Sequence, residues 1–392
     1  MFPVLNKNYA LLKQYKSSIV YPLLGENSSA VMSGVYSYER TNETGAEILE
    51  LCNGALSIED IAKKLAEKHS CSVTESFPLV SKFVEEACRK GYLSTQEDKK
   101  VSAINVSGSF DVIFPFNAQI EITKKCPLKC RHCFNNSGTA KRKEMSTSEL
   151  FTVIDKLAAM GVKKVMLTGG EPTVRADFIE IIQYASKKFM AVSVATNGYF
   201  ITPDLIYKIS KLKNIVIQVS LDGTEEHHNF IRGVDNSFSK AVNAIQEMSN
   251  AHMNVVVAST FNNYNMEDME YLTALAKKLG AKQITYSITN QIGRAKDNPD
   301  LFGFSVEAML SNAKRLQKEY TDQTFYIHVN DSARDAECAT STCGRGCTQI
   351  CIRENGDVSP CLQFNLAYGN LITQDINDIF HHSRICHFMN IP

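Results

Sequence analysis

Between residues 117 and 320 the apolar positions switch repeatedly between two spacings. Short runs rich in β-branched residues, "QIEIT", "KKVMLT", "AVSVAT", "IVIQVS", "VVVAST" and "QITYSIT", are separated by segments such as "STSELFTVIDKLAAMG" and "PDLIYKISKLK", whose apolar residues recur at helical intervals. The runs predict buried strands and the segments between them predict amphipathic helices. Strand and helix alternate six times. That order predicts a parallel sheet flanked by helices, an α/β fold in the form of a partial (β/α)6 TIM-like barrel. Past residue 320 the alternation stops, and short strands rich in cysteine are expected.

The first hundred residues follow another rhythm. "AVMSGVYSYERTN" reads as a strand and "TGAEILELCNG" as a short helix closed by Gly54. "SIEDIAKKLAEKH" reads as a second helix, with Ser57 as N-cap and Asp60 in the capping-box position usually held by Glu or Gln. Its Ile58, Ile61, Ala62, Leu65 and Ala66 share one face. In a third helix, "SFPLVSKFVEEACRKGY", Phe77, Val80, Val84 and Cys88 are spaced to face inward. "STQEDKKVSAINVSGS" is polar enough to predict a linker. The expected division is a winged-helix-like α+β module over residues 1–100, a linker over 101–116, the barrel over 117–320 and a cysteine-rich extension over 321–392.

A chain of 392 residues with 44% hydrophobic content can fill two or three cores. Lys+Arg and Asp+Glu both number 42, so electrostatics gives no reason to expect nucleic acid or anionic membrane as a partner. A winged helix that binds DNA is the competing reading of the front module, but it needs a basic face, and acidic and basic residues there are near balance. No stretch approaches the roughly 20 apolar residues of a membrane span, and the N-terminus lacks the order of a secretory signal. A soluble, cytoplasmic protein is expected. Twelve cysteines in such a chain point to metal rather than disulfides. Cys52, Cys71 and Cys88 read as buried apolar residues; the other nine fall in two groups.

The first group lies in "KKCPLKCRHCFNN", directly after the first barrel strand: Cys126, Cys130 and Cys133. A structural zinc takes four closed ligands, so three thiols imply a vacancy, unless His132 completes a zinc site. "LTGGEP" ends the second strand, where a glycine pair lets backbone approach a ligand. "SLDG" ends the fourth strand, and Arg232 lies twelve residues past Ser220. In parallel barrels the chemistry sits at these C-terminal strand ends. The C-x3-C-x2-C loop and the features after it resemble, in order, the radical S-adenosylmethionine (SAM) superfamily, which favours a cluster over zinc. The resemblance implies that Cys126, Cys130 and Cys133 hold three irons of a [4Fe-4S] cluster whose fourth iron is open to S-adenosyl-L-methionine. It implies reductive cleavage of that cofactor to a 5′-deoxyadenosyl radical, with an external donor such as flavodoxin or ferredoxin. It also implies cofactor contacts at Thr168, Gly169, Gly170, Glu171, Asn197, Ser220, Asp222 and Arg232. His132 stands where the family usually has an aromatic residue near the adenine; stacking there and simple solvation both remain open.

The second group lies in "CGRGCTQICIRENGDVSPC", followed by "YGNLITQDINDIF". This resembles the SPASM extension or its shorter Twitch form, which implies at least one auxiliary iron–sulfur cluster; a zinc ribbon is the alternative. Asn355-Gly356 predicts a hairpin turn that would bring Cys343 near Cys361. These two are the first expected ligands, with Cys338 and Cys386 next. Cys347 and Cys351 either pack or meet substrate. A full SPASM segment continues with further cysteines beyond "CHFMNIP", so this is either the one-cluster type or a truncated form.

Residues of about 15–95, through "TNETGAEILELCNGALSIEDIAKKLAEKH", resemble the PqqD-like recognition element of enzymes that modify ribosomal peptides. That implies binding of a precursor's leader by strand addition to a sheet edge. The three parts together resemble maturases that form thioether bridges in sactipeptides and ranthipeptides. The implied reaction removes a hydrogen from a peptide carbon, commonly the α carbon, joins a cysteine thiol to it and passes the surplus electron to the auxiliary cluster. Epimerisation, carbon–carbon crosslinking and sulfatase maturation are the alternatives within the superfamily; a zinc-binding regulator is the alternative outside it.

Overall fold

The computed structural model describes residues 1–14, 18–23, 39–110, 115–140, 142–329, 349–364, 366–375 and 378–379. They fall into two units, one within residues 1–114 and one within 115–392. Among the described residues no helix is long and apolar enough to cross a membrane.

In the first unit β1 (Phe2–Leu5), β2 (Tyr9–Lys13), β3 (Ser18–Pro22) and β4 (Glu39–Thr41) precede α1 (Glu43–Leu51), α2 (Ile58–His69) and α3 (Val73–Arg89), and β5 (Leu93–Gln96) and β6 (Asn105–Gly108) follow. β1 pairs with β5, and the other four form a sheet in the order β4-β3-β2-β6. The capping box at Ser57 and Asp60 is present, and Ile61, Ala62, Leu65 and Ala66 are buried.

Three expectations need correction. Phe77 is 42% exposed, because the inward stripe of α3 runs through Ser76, Val80, Val84 and Ala87. Ser76 is held there by a hydrogen bond from its Oγ to the Ala62 carbonyl at 2.9 Å. Cys71 is exposed rather than buried. Part of the supposed linker is β6, which pairs parallel with β2; an outer strand can carry polar side chains and so resembles a linker in sequence.

The second unit runs β7 (Asn117–Thr123), α4 (Thr147–Met160), β8 (Lys164–Gly169), α5 (Phe178–Lys188), β9 (Ala191–Thr196), α6 (Pro203–Ser210), β10 (Ile215–Ser220), α7 (Glu225–Arg232), α8 (Ser237–Asn250), β11 (Asn254–Phe261), α9 (Met269–Lys278), β12 (Gln283–Ile288), α10 (Val306–Tyr320) and β13 (Tyr326–Val329). Then come β14 (Gln349–Ile352), β15 (Asp357–Ser359) and β16 (Gly369–Asn370). All six expected strands form and lie parallel in sequence order. The alternation does not stop at residue 320: β13 adds parallel to β12. On the other side β14 adds parallel to β7 and turns back antiparallel into β15. Gly356, at φ +87°, closes that hairpin.

The alternation of each strand decides what faces where. Ile120, Ile122, Val165, Leu167, Val192 and Val194 pack into the apolar core, each contributing roughly 1.5–3 kcal/mol. Their neighbours Gln119, Met166, Thr168, Ala195, Gln218 and Ser220 line an interior cavity instead. The sheet therefore borders an open chamber lined by both polar and apolar side chains.

Candidate cofactor-binding site

The cavity has a volume of about 430 Å³, within the usual range for a small-molecule site. The loop after β7 brings Cys126, Cys130 and Cys133 to its wall together, with Cys361 from the turn after β15. Loop backbone is tied on both sides: Cys126 N donates to Gly138 O at 2.9 Å, and Arg131 N donates to Ile231 O at 2.8 Å.

The glycine pair has a use beyond the one expected. Gly169 has φ +133°, and a Cβ there would stand 2.1 Å from the Thr123 carbonyl oxygen; at Gly170 it would stand 2.2 Å from that of Lys125. The close approach is to the backbone that launches the cysteine loop, and both glycines also face the cavity. Gly170→Ala should therefore displace the loop. An expected drop of about 100-fold in radical chemistry, the scale of a 1 Å misplacement, is checked by iron per chain and by 5′-deoxyadenosine release.

Of the remaining expected contacts, Thr168, Asn197, Ser220, Arg232 and His132 line the cavity, whereas Glu171 and Asp222 stand behind it, fully buried. Glu171 accepts hydrogen bonds from Asn197 N at 2.7 Å, Thr196 Oγ1 at 2.8 Å and Thr173 Oγ1 at 2.7 Å. Asn197 Nδ2 in turn reaches Cys126 Sγ at 3.7 Å. Burial holds the Glu171 carboxyl above its ordinary range despite these donors. Asp222 Oδ2 lies 2.6 Å from Arg232 Nη2, and Arg232 Nη1 donates to Cys130 Sγ at 3.8 Å. Burial pushes Asp222 upward, but the Arg232 guanidinium, with a hydrogen bond from Thr260 N at 2.8 Å, outweighs this and holds its carboxyl low. Both carboxylates thus contact residues of the cavity wall, Asn197 and Arg232, from behind.

Burial pushes the Cys126 thiol up to about 12 and raises Cys130, so iron binding has to release their protons. Burial also lowers His132 to about 4, and its ring stands neutral at the wall with Nε2 3.7 Å from Asp222 Oδ2 and Nδ1 unpartnered. Among the described residues the wall has no Asp, Glu, Lys or Tyr. It offers soft thiols for iron and hydroxyl and amide donors for a polar cofactor, but no carboxylate or amine base.

Comparison with known proteins fits this donor set. Residues 120–276 match the radical SAM superfamily, residues 31–93 the coenzyme PQQ synthesis protein D family, and residues 343–391 the SPASM iron–sulfur cluster-binding domain. The mycofactocin maturase MftC of Mycolicibacterium smegmatis is 30% identical over 284 residues, covering 69% of this chain and 71% of that protein. The chain belongs to the radical SAM superfamily.

The sporulation killing factor maturation protein SkfB of Bacillus subtilis is 29% identical over 282 residues, 72% of this chain and 68% of that protein. In fold, the radical SAM chain is similar to Streptococcus suis SuiB in its crystal structure with the precursor peptide SuiA. The TM-score is 0.66 at 14% identity, over 96% of this chain and 88% of that one. The radical SAM domain binds a [4Fe-4S] cluster and S-adenosyl-L-methionine, and the SPASM domain binds auxiliary iron–sulfur clusters. Iron, not zinc, is therefore the resident metal.

Two further anchors of the radical SAM loop escaped the sequence reading. Arg294, just past β12, donates through Nε to Cys130 O at 2.8 Å and through Nη1 to Ser137 O at 2.7 Å. Its neighbour Gly293, at φ +62°, leaves no room for a Cβ, which would stand 2.4 Å from Cys133 O. The available signal was "GRA" placed just beyond a strand end. Of the cysteines expected to serve the auxiliary cluster, Cys361 faces the cavity. Cys338, Cys343 and Cys386 lie outside the described residues. Cys351 is buried, its Sγ 3.8 Å from Gln119 Oε1.

Proposed function

We propose that this enzyme matures a ribosomally made precursor peptide by forming an intramolecular thioether from a cysteine sulfur to a peptide carbon. The observation that carries the reading is that Cys361, from the SPASM segment, opens onto the same cavity as the three-cysteine loop. The PqqD-like match, the maturase relatives and the likeness to a fold seen with a precursor peptide support it. In this reading Cys126, Cys130 and Cys133 hold the cluster, while Thr168, Gly169, Gly170, Asn197, Ser220, Arg232 and His132 hold S-adenosyl-L-methionine. Glu171 fixes the backbone at Asn197 and Asp222 aims Arg232. Cys361 is a ligand of an auxiliary cluster, and Cys338, Cys343 and Cys386 are proposed to complete its ligand set.

When bound, these cofactors supply a 5′-deoxyadenosyl radical that takes a hydrogen from the peptide carbon and an acceptor for the electron released when the thiol bonds to it. The protein's own part is to orient and to exclude water. The front module, proposed to be the leader reader, has outer sheet strands at β4 and β6, where an extended leader would pair. A flavodoxin or ferredoxin in the cytoplasm is the proposed reductant.

The balanced change is one C–S bond formed and two hydrogens lost, one as an atom and one as the thiol proton. Reconstituted enzyme incubated with precursor peptide and reductant should give a product lighter by two hydrogens, read by mass spectrometry. Unchanged mass with inversion at an α carbon would make the enzyme an epimerase and overturn the thioether.

A further inference from the structure

Glu121 is fully buried on β7, and its partners come from three places in the chain. Lys124 Nζ lies 3.1 Å from both carboxylate oxygens, Asn135 Nδ2 donates to Oε1, and Arg353 Nη1 lies 3.4 Å from Oε2. Lys124 precedes Cys126 and Asn135 follows Cys133, so this one carboxylate grips both ends of the cysteine loop. Arg353 belongs to the hairpin between β14 and β15, where its backbone N donates to Asp357 O at 2.8 Å. Its Nη2 donates to the carbonyls of Leu362 at 2.9 Å and Phe364 at 2.6 Å, with Cys361 O at 3.5 Å. Within that turn Gln363 N donates to Cys361 Sγ at 3.4 Å. The guanidinium therefore faces the barrel strand with one nitrogen and the Cys361 turn with the other.

A buried carboxylate persists only when compensated, and the planar fork of arginine can satisfy two directions where a lysine offers one compact charge. We infer that Arg353 and Glu121 are a positioning pair that fixes the Cys361 thiol relative to the three-cysteine loop, and so sets where the auxiliary cluster stands with respect to the radical-generating one. Neither residue touches a cofactor in this role. The inference rests on the reading of Cys361 as an auxiliary ligand.

The test uses the full chain, reconstituted without oxygen and reduced with dithionite, and followed by electron paramagnetic resonance. A cluster with an open iron changes its spectrum when S-adenosyl-L-methionine is added; a fully ligated auxiliary cluster does not. Arg353→Met is expected to lose most of the insensitive signal and its iron while keeping the cofactor-sensitive one. Should that variant not fold, Arg353→Lys, which keeps a positive charge for Glu121 but lacks the second arm of the fork toward the Cys361 turn, should show the same selective loss. Retention of both signals at wild-type intensity would overturn the inference, as would their loss together, which would make the pair a support of the whole fold. Cys361→Ala separates the two levels. If it keeps the insensitive signal, the ligand reading fails; if it loses that signal while both Arg353 variants keep it, the positioning role fails alone.

Discussion

Cys130→Ala is expected to abolish 5′-deoxyadenosine formation and to remove the iron of one cluster, with little change in folding. Cys130 is only 7% exposed, and removing one sulfur from such a position costs about 1 kcal/mol in packing. The catalytic loss is far larger, because the three-cysteine loop has no spare thiolate. Cys351→Ala provides the control: an equally buried thiol on β14, outside the loop, whose removal should leave 5′-deoxyadenosine formation in place. Iron analysis, melting temperature and chromatographic quantification of 5′-deoxyadenosine separate these outcomes. A Cys130 variant that still cleaves S-adenosyl-L-methionine at the wild-type rate would refute the assignment of the loop.

Removal of residues 1–110 is expected to lower precursor turnover at micromolar peptide by roughly 10³-fold, while cleavage of S-adenosyl-L-methionine without peptide continues. A leader bound with micromolar affinity, about 8 kcal/mol, holds the rest of its peptide at an effective concentration on the order of millimolar. The defect should therefore lie in KM and be relieved by millimolar peptide. The front unit has its own apolar core, built on Leu11, Leu49, Ile61, Val80 and Val84, so its removal takes away a separate packing unit. Unchanged turnover at low peptide would favour an enzyme that reads its target at the barrel, as a sulfatase-maturing type would.

The six barrel strands were legible because their period differs from that of the helices between them. The hairpin of β14 and β15 was legible in Asn355-Gly356, but β6 and β13 were not: each has four residues, and partner strands decide pairing in runs so short. Phe77 misled because several helical stripes fit the same sequence and only the packed one is real. At the site, residues within a local motif were visible, including the glycine pair, although its use against Thr123 and Lys125 was not. Glu171 and Asp222 stand behind the cavity wall rather than on it, since a motif marks a neighbourhood and gives no direction. Arg294 and Arg353 reach their partners across 164 and 232 residues. No spacing rule spans such distances.

The decisive measurement is electron paramagnetic resonance of the anaerobically reconstituted, dithionite-reduced enzyme with and without S-adenosyl-L-methionine, paired with quantification of 5′-deoxyadenosine. A cluster with an unsaturated iron gives a brown protein, a spectrum that shifts on addition of the cofactor, and 5′-deoxyadenosine. A spectrum indifferent to the cofactor, or a colourless protein holding zinc, with no 5′-deoxyadenosine formed, would contradict it.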